Sequence, residues 1–275
     1  MNRLDPAKLK AQQTYNLASE FFDAPPLGFW ARYGRRTVER LALKPGATVL
    51  DVACGTGASA LPAAEAVGST GSVVGVDLAA QLLAQARRKA RQSGLANIEF
   101  VEADMTSLDY PDARFDAVIC VFGVFFVPDM ESLVAELWRM VRPGGTLAVT
   151  TWGPRIFAPA YEVWNEAVRR IRPDLHAAYH PWDRITTPEA VRALFRSART
   201  ANVAIEAADG YEPLASPEDF WTIALGSGLR WTVEQLRPRP AAQVKQEVVE
   251  WLASRAVDRI ETNVIYAVAT RGPNS

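Results

Sequence analysis

The chain has 275 residues, 49% hydrophobic and 22% charged, which is enough apolar content for a buried core and too much for a disordered or low-complexity protein. Lys+Arg 30 against Asp+Glu 31 leaves a net charge of -1, which argues against a general nucleic-acid binder. Two cysteines cannot build a disulfide framework, the opening MNRLDPAKLKAQQ carries no apolar signal segment, and the longest apolar run, Ala117 to Val127, is 11 residues, too short for a membrane span; together these point to a cytoplasmic protein.

In chain order, Leu9, Tyr15, Leu17, Ala18, Phe21 and Phe22 recur at helical spacing until Pro25-Pro26 breaks the pattern. A second helix is predicted from Leu27 to Leu41, stopped before Lys44-Pro45-Gly46. The period then changes. Ala47 to Val52 reads as a short strand, Gly55-Thr56-Gly57 as a turn, and Ser59 to Val67 as a helix with Pro62 tolerated in its first turn. Further strands are predicted at Ser72 to Asp77, Ile98 to Val101, Phe115 to Cys120 and Thr146 to Thr151. Helices fall between them at Ala79 to Ser93, closed by Gly94, and at Met130 to Val141, stopped by Pro143-Gly144-Gly145. Such alternation predicts an α/β fold with a Rossmann-like doubly wound sheet, whose ligands bind beyond the carboxyl ends of the strands.

Past Trp152 the pattern loosens. Helices are predicted at Tyr161 to Ile171 and Pro188 to Arg199, and strands at Ala201 to Ala207 and Ile260 to Thr270, which bring the strand total to seven. Between those two strands, Asp219 to Leu229 and Ala241 to Ala256 read as helices, so an edge hairpin would carry a helical cap over the crevice.

The segment Val49-Leu-Asp-Val-Ala-Cys-Gly-Thr-Gly57 joins a strand to a helix, where glycines allow close backbone approach and the helix start offers amide donors. Asp77 ends the next strand, where a carboxylate can accept from both hydroxyls of a ribose. Gly55-Thr-Gly57-Ala-Ser-Ala60 with Asp77 also satisfies a dinucleotide fingerprint, which would make the chain an NAD-dependent oxidoreductase. Asp51 argues otherwise. Its negative charge, two residues before the turn, repels a pyrophosphate and attracts the ammonium and sulfonium of S-adenosylmethionine. Taken singly, Asp51 could cap a helix, Asp77 form a turn and Asp104 an Asx turn. Cys54 and Cys120 read as small buried apolar residues.

Leu50-Asp-Val-Ala-Cys-Gly-Thr-Gly57, followed by Gly75-Val-Asp77, Glu102-Ala-Asp-Met105, Phe115-Asp116 and Arg142-Pro-Gly-Gly145, resembles the class I S-adenosylmethionine-dependent methyltransferases. Within them the chain looks closest to the type 11 branch that includes the quinone-biosynthesis C-methyltransferases. The resemblance covers residues 45–151. It implies an antiparallel last strand and S-adenosylmethionine as cofactor. It also implies one domain over 1–275: N-terminal helices over 1–45, a cofactor core over 46–151, and a substrate cap with the final strand pair over 152–275. By the same resemblance, Asp51 and the backbone of Ala53, Cys54, Gly55 and Gly57 hold the methionine portion, although Ala53 stands where many members have glycine. Asp77 takes the ribose, and Leu78 packs on the adenine. Asp104 accepts from the adenine amino group, and the Met105 amide lies near the ring nitrogen. Cys120 and Val121 line the methionine side.

Methyl transfer from a sulfonium needs alignment and dryness, and a base only when the acceptor must lose a proton. His176 and His180 are the sole histidines, and with Ala177 after the first they lack the zinc-protease pattern, so no metal is expected. His180 and Tyr15 are the candidate catalytic side chains. Tyr15, Phe21, Phe22, Trp30 and Tyr33 precede the core, and Trp152, Phe157, Trp164, Tyr179 and Trp182 follow it; of these Tyr15, Trp30 and Trp152 are candidates to wall the cleft, where ring faces also favour the sulfonium. With the run Phe122-Gly-Val-Phe-Phe-Val127, they predict a small apolar acceptor, aromatic, quinone-, polyketide- or lipid-like, methylated at carbon or oxygen. No Asn/Asp-Pro-Pro-Tyr signature of amino methylation occurs. A non-methylating relative, a cyclase or binding module, would need the same cofactor contacts. Homodimerisation stays open, and 25 Arg against 5 Lys suggests a GC-rich bacterial coding sequence.

Overall fold

The computed structural model describes residues 5–176, 180–200 and 202–273. Helix α1 (Pro6–Ala18) starts on Asp5, whose side chain accepts from the Ala7 and Lys8 amides at 2.9 and 3.0 Å, with Pro6 at the first helical position. A 3-10 turn at Pro25–Leu27 leads into α2 (Phe29–Glu39). Then β1 (Thr48–Val52), α3 (Ala60–Val67), β2 (Ser72–Asp77), α4 (Ala80–Gln92), β3 (Ile98–Glu102), β4 (Phe115–Val121), α5 (Met130–Arg139) and β5 (Val141–Trp152) alternate as predicted.

The remainder is α6 (Ala160–Ile171), α7 (Pro188–Ser197), β6 (Val203–Ala208), β7 (Tyr211–Pro213), α8 (Asp219–Leu225), α9 (Arg230–Leu236), α10 (Pro238–Ser254), β8 (Arg259–Glu261) and β9 (Val264–Thr270). One sheet runs in the order β3-β2-β1-β4-β5-β9-β6, with β1 to β5 parallel and β9 antiparallel to both of its neighbours. β1 and β4 are buried on both faces, which is why Ala117–Val121 reads as an unbroken apolar run and Val49–Val52 departs from one only at the buried Asp51. Two apolar clusters result. One packs α3 and α4 against the sheet through Val49, Ala63, Val67, Leu83 and Ala86, and the other unites the opposite face with α2 and with α5 to α10.

Several boundaries differ from the sequence reading. Pro143-Gly144-Gly145 is not a stop before β5 but an irregularity inside it: Phe115 faces Val141 while Ala117 faces Thr146, and Gly144 takes φ +80. The last predicted strand is two, β8 and β9, broken at Thr262-Asn263 where both residues bond to Gly210. β8 pairs instead with β7 in a separate two-stranded sheet. The predicted helix at 219–229 ends at Leu225, and 230–236 forms its own helix; α10 begins at Pro238 because Arg237 at φ +62 breaks the chain. Leu9 and Leu17 are 43% and 44% exposed rather than core, because α1 is held by polar bonds across the sheet's carboxyl edge. Ala201, the predicted start of β6, lies outside the described residues, as does Tyr179. Among the described residues no helix is long and apolar enough to cross a membrane.

Candidate active site

The carboxyl ends of β1, β2, β4 and β5 open onto one cavity of about 1240 Å³, counting the space at its mouth. Helix α1 crosses it with Gln12 and Tyr15, and the loop Ser227-Gly228-Leu229 between α8 and α9 completes the wall. Polar bonds hold α1 there: Gln12 Nε2 donates to the Leu78 carbonyl at 3.1 Å and the Gln81 amide to Asn16 Oδ1 at 3.0 Å.

At one end lies the turn after β1. Ala53, Gly55 and Gly57 take φ of 57°, 54° and 89°, a left-handed path that glycine adopts freely and alanine only with strain. Asp77 pins this turn, its Oδ2 accepting from the Gly55 amide at 2.9 Å and its Oδ1 from the Ala79 amide at 2.8 Å. It forms a turn and also lines the cavity, and each oxygen keeps a lone pair for a ligand hydroxyl. Burial raises its pKa, with amides of Ala79, Gly55 and Leu78 opposing.

Asp51 is wholly buried one side chain behind the wall, where Ser59 Oγ donates to its Oδ2 at 2.7 Å and Ser59 itself reaches the cavity. Its other oxygen has no partner. Burial pushes its pKa up to about 7, Ser59 pulls against this, and the Asp77 charge adds to it. A buried carboxylate with an orphaned oxygen favours a cation beside it and disfavours a pyrophosphate.

The structure brings together Ala53, Cys54, Gly55, Asp77, Leu78, Met105, Val121 and Tyr15 on the cavity wall, and leaves other candidates off it. Asp104 turns away: Lys8 Nζ pairs with its Oδ2 at 2.8 Å, and the Thr106 amide and hydroxyl both bond to Oδ1 at 2.9 Å. Burial raises the Asp104 carboxyl, and these bonds outweigh it, leaving it below the usual range. Gly57 and Cys120 lie beneath the wall; burial lifts the Cys120 thiol to about 12 and the Cys54 thiol well above its ordinary value, so neither is a thiolate.

The rest of the wall is aromatic. Phe122 stacks on Trp152 at 4.0 Å and Phe22 on Trp30 at 5.2 Å, while Tyr15 stands edge-on to Phe126 at 5.4 Å. Phe125, Ile156, Phe157, Tyr161 and Trp182 continue the wall. His180 is not itself on the wall. It stands one hydrogen bond behind, with Nε2 2.5 Å from Tyr161 Oη and its ring stacked 4.3 Å from Trp182. Burial lowers the His180 pKa, and burial raises those of Tyr161 and Tyr15, so all three are neutral near pH 7.

A methyltransferase-domain family profile matches residues 49–145. Aklanonic acid methyltransferase DauC of Streptomyces sp. is 35% identical over 144 residues, 52% of this chain and 66% of that one. Demethylmenaquinone methyltransferase of Listeria monocytogenes is 33% identical over 52% of this chain, so the match spans only 60% of that relative's own length. Nocamycin O-methyltransferase of Saccharothrix syringae is 30% identical over 254 residues, 86% of this chain and 88% of that one. The chain belongs to the class I S-adenosylmethionine-dependent methyltransferases. Its fold is shared by the [4+2]-cyclase SpnF (TM-score 0.61, 21% identity, 98% of both chains) and by phosphoethanolamine N-methyltransferase 2 of Haemonchus contortus (TM-score 0.60, 18% identity, 98% of this chain and 60% of that one).

The cofactor of this methyltransferase family is S-adenosylmethionine, and the residues present fit it. The left-handed turn and the Asp77 carboxylate line the chamber, and the unpartnered Asp51 oxygen lies buried behind them. Gln12, Ser59, Ser227 and Tyr161 also reach the wall without having been singled out by the sequence. Ser59 carried a signal, being the hydroxyl eight residues after Asp51 at the start of a helix. Tyr161 carried none, since its partner lies nineteen residues away along the chain.

Proposed function

We propose that the protein transfers a methyl group from S-adenosylmethionine to carbon or oxygen of a small apolar, aromatic acceptor. The observation that carries this reading is a single chamber that joins the glycine turn and Asp77 to stacked aromatic walls. Bound there, S-adenosylmethionine supplies an activated methyl group on a sulfonium that leaves as a neutral thioether. The residues hold and orient: the Ala53–Gly57 backbone and, through Ser59, Asp51 face the amino-acid portion; Asp77 takes the ribose hydroxyls; Leu78 and Met105 flank the base. Asp104, paired with Lys8, takes the adenine amino group only if that pair opens. The ring faces of Tyr15, Phe122 and Trp152 exclude water and suit a cationic sulfur.

Relatives named for aklanonic acid, nocamycin and demethylmenaquinone support a bulky organic acceptor rather than a nucleic acid. On this reading residues 1–45 and 152–275 cap a 46–151 core as one catalytic unit. The test is incubation with S-adenosylmethionine and a panel of hydroxylated quinones and naphthoates, read by mass spectrometry. A methylated product with S-adenosylhomocysteine release is the expected result. Cofactor binding without methylation of any panel member, or with cyclised product, would favour the non-methylating alternative.

A further inference from the structure

Two of the rings lining the chamber carry hydroxyls, Tyr15 and Tyr161. Tyr15 lies in the field of the Asp77 carboxylate, on the side of the glycine turn. Tyr161 rises from the first turn of α6, its amide bonded to the Phe157 carbonyl at 3.0 Å. Its ring stacks on Trp164 at 5.6 Å, and its Oη lies 2.5 Å from His180 Nε2. The far side of the imidazole sets the direction of that bond. His180 opens the Pro181–Ile185 turn with a capping box: the Asp183 side chain accepts from the His180 amide at 2.7 Å, and the Asp183 amide donates to the His180 side chain. Nε2 faces Tyr161, so the nitrogen that receives the amide is Nδ1, and it must offer a lone pair. The same amide is shared with the His180 carbonyl at 2.9 Å. Burial, against the Asp183 charge, keeps the imidazole neutral. Its one ring proton therefore sits on Nε2 and is donated to Tyr161 Oη.

Tyr161 Oη thus accepts from behind the wall, and its own proton cannot point at His180. Among the described residues no other group bonds to that hydroxyl, so its proton is left for the chamber that Tyr161 lines. We propose that Tyr161 donates this hydrogen bond to a carbonyl oxygen of the methyl acceptor, with His180 as the positioning residue that turns the hydroxyl inward. This deepens the methyltransferase reading and rests on it, narrowing the acceptor class to ketones and quinones. A carbonyl oxygen accepts without donating, and so matches a hydroxyl whose lone pair is already engaged. A hydrocarbon in the same place would leave the hydroxyl unpaired in an apolar wall, which is how a polar contact rejects analogues that lack its partner. Parallel stacking on Trp182 at 4.3 Å holds the imidazole in the orientation that this requires.

The probes are fluorenone, a flat aromatic ketone, and fluorene, the same ring system without the oxygen. In the complex with S-adenosylhomocysteine, the ratio of fluorenone to fluorene affinity should fall about tenfold from wild type to Tyr161→Phe, with fluorene and S-adenosylhomocysteine affinities unchanged within about twofold. A merely structural role would move both probes together and leave the ratio where it was. His180→Leu, which keeps Tyr161 but releases its hydroxyl to turn, should lower the ratio by less. The wild-type protein gives a second reading that needs no variant: the carbonyl stretch of bound fluorenone should lie below its frequency in hexane, and Tyr161→Phe should return it toward that value. An unchanged ratio in Tyr161→Phe, an unshifted carbonyl band, or failure of both probes to bind the cofactor complex overturns the carbonyl site. A His180→Leu ratio equal to that of wild type overturns the positioning role. Failure of S-adenosylhomocysteine to bind overturns the cofactor reading instead.

Discussion

The two ends of the cavity are built by different means. The polar end is made largely of backbone at the ends of adjacent strands, with one carboxylate, Asp77, clamping the turn from the neighbouring strand. The aromatic wall is made of side chains brought from four separate stretches: residues 15–30, the turn after β4, residues 152–161, and the 180–185 turn. A backbone site depends on local conformation and so leaves a contiguous mark in the sequence. A side-chain site depends on the tertiary packing of distant segments, and its residues can vary while the chamber keeps its character.

Removing the clamp should show the contrast most strongly. Asp77→Ala frees the Gly55 and Ala79 amides and, on the proposed placement of the cofactor, removes two charge-assisted hydrogen bonds to a ribose, on the order of 1.5–3 kcal/mol each. S-adenosylhomocysteine affinity should drop at least tenfold by calorimetry; a change within twofold would move the cofactor elsewhere. By comparison, Trp182→Ala at the aromatic end should leave that affinity within twofold.

Next in size is Gly34 on α2, where a Cβ would come 2.4 Å from the Ala58 carbonyl carbon and oxygen and 2.8 Å from the Ser59 nitrogen. All three are backbone atoms, so Gly34→Ala must push the helix off the glycine turn. A loss of about 1–3 kcal/mol in urea unfolding is expected, with cofactor affinity falling alongside it. Unchanged stability would mean that the two elements can slide apart freely.

The Asp51 carboxyl predicts a pH effect. A cation binds its ionised form, and with a pKa of about 7 that form grows about tenfold between pH 6 and 8, so S-adenosylhomocysteine affinity should rise by about that factor. The unliganded protein should respond in the opposite sense. The folded value lies above the unfolded one, so this group's contribution to stability is full below about pH 4 and is lost as pH rises through about 7. Asp51→Asn should flatten both curves; a wild-type affinity independent of pH would remove Asp51 from cofactor binding.

The smallest effect is expected at Ala53. Relieving its φ of 57° with Ala53→Gly should change stability by about 1 kcal/mol or less, and cofactor affinity by less than Asp77→Ala does.

The same contrast explains what the sequence disclosed. β2 was legible to the residue because Ser72–Asp77 is a β-branched run ended by a carboxylate. The Asp51–Gly57 turn and Asp77 were legible because local conformation demands those residue types. Pro143-Gly144-Gly145 misled, since the same residues that stop a helix can also bend a strand. The Asp104 pairing was not legible because Lys8, its partner, lies on a helix far away in sequence. The cap's aromatics were visible as a composition, but the Tyr161–His180 contact depends on how α6 packs against the 180–185 turn, which no periodicity reports.

Calorimetric titration with S-adenosylhomocysteine, alongside NAD, tests the central claim most directly. Saturable one-to-one binding of the first and none of the second is the predicted result. Binding of NAD alone would contradict the placement of a cationic cofactor beside Asp51, and with it the division of the chamber into a cofactor end and an acceptor end.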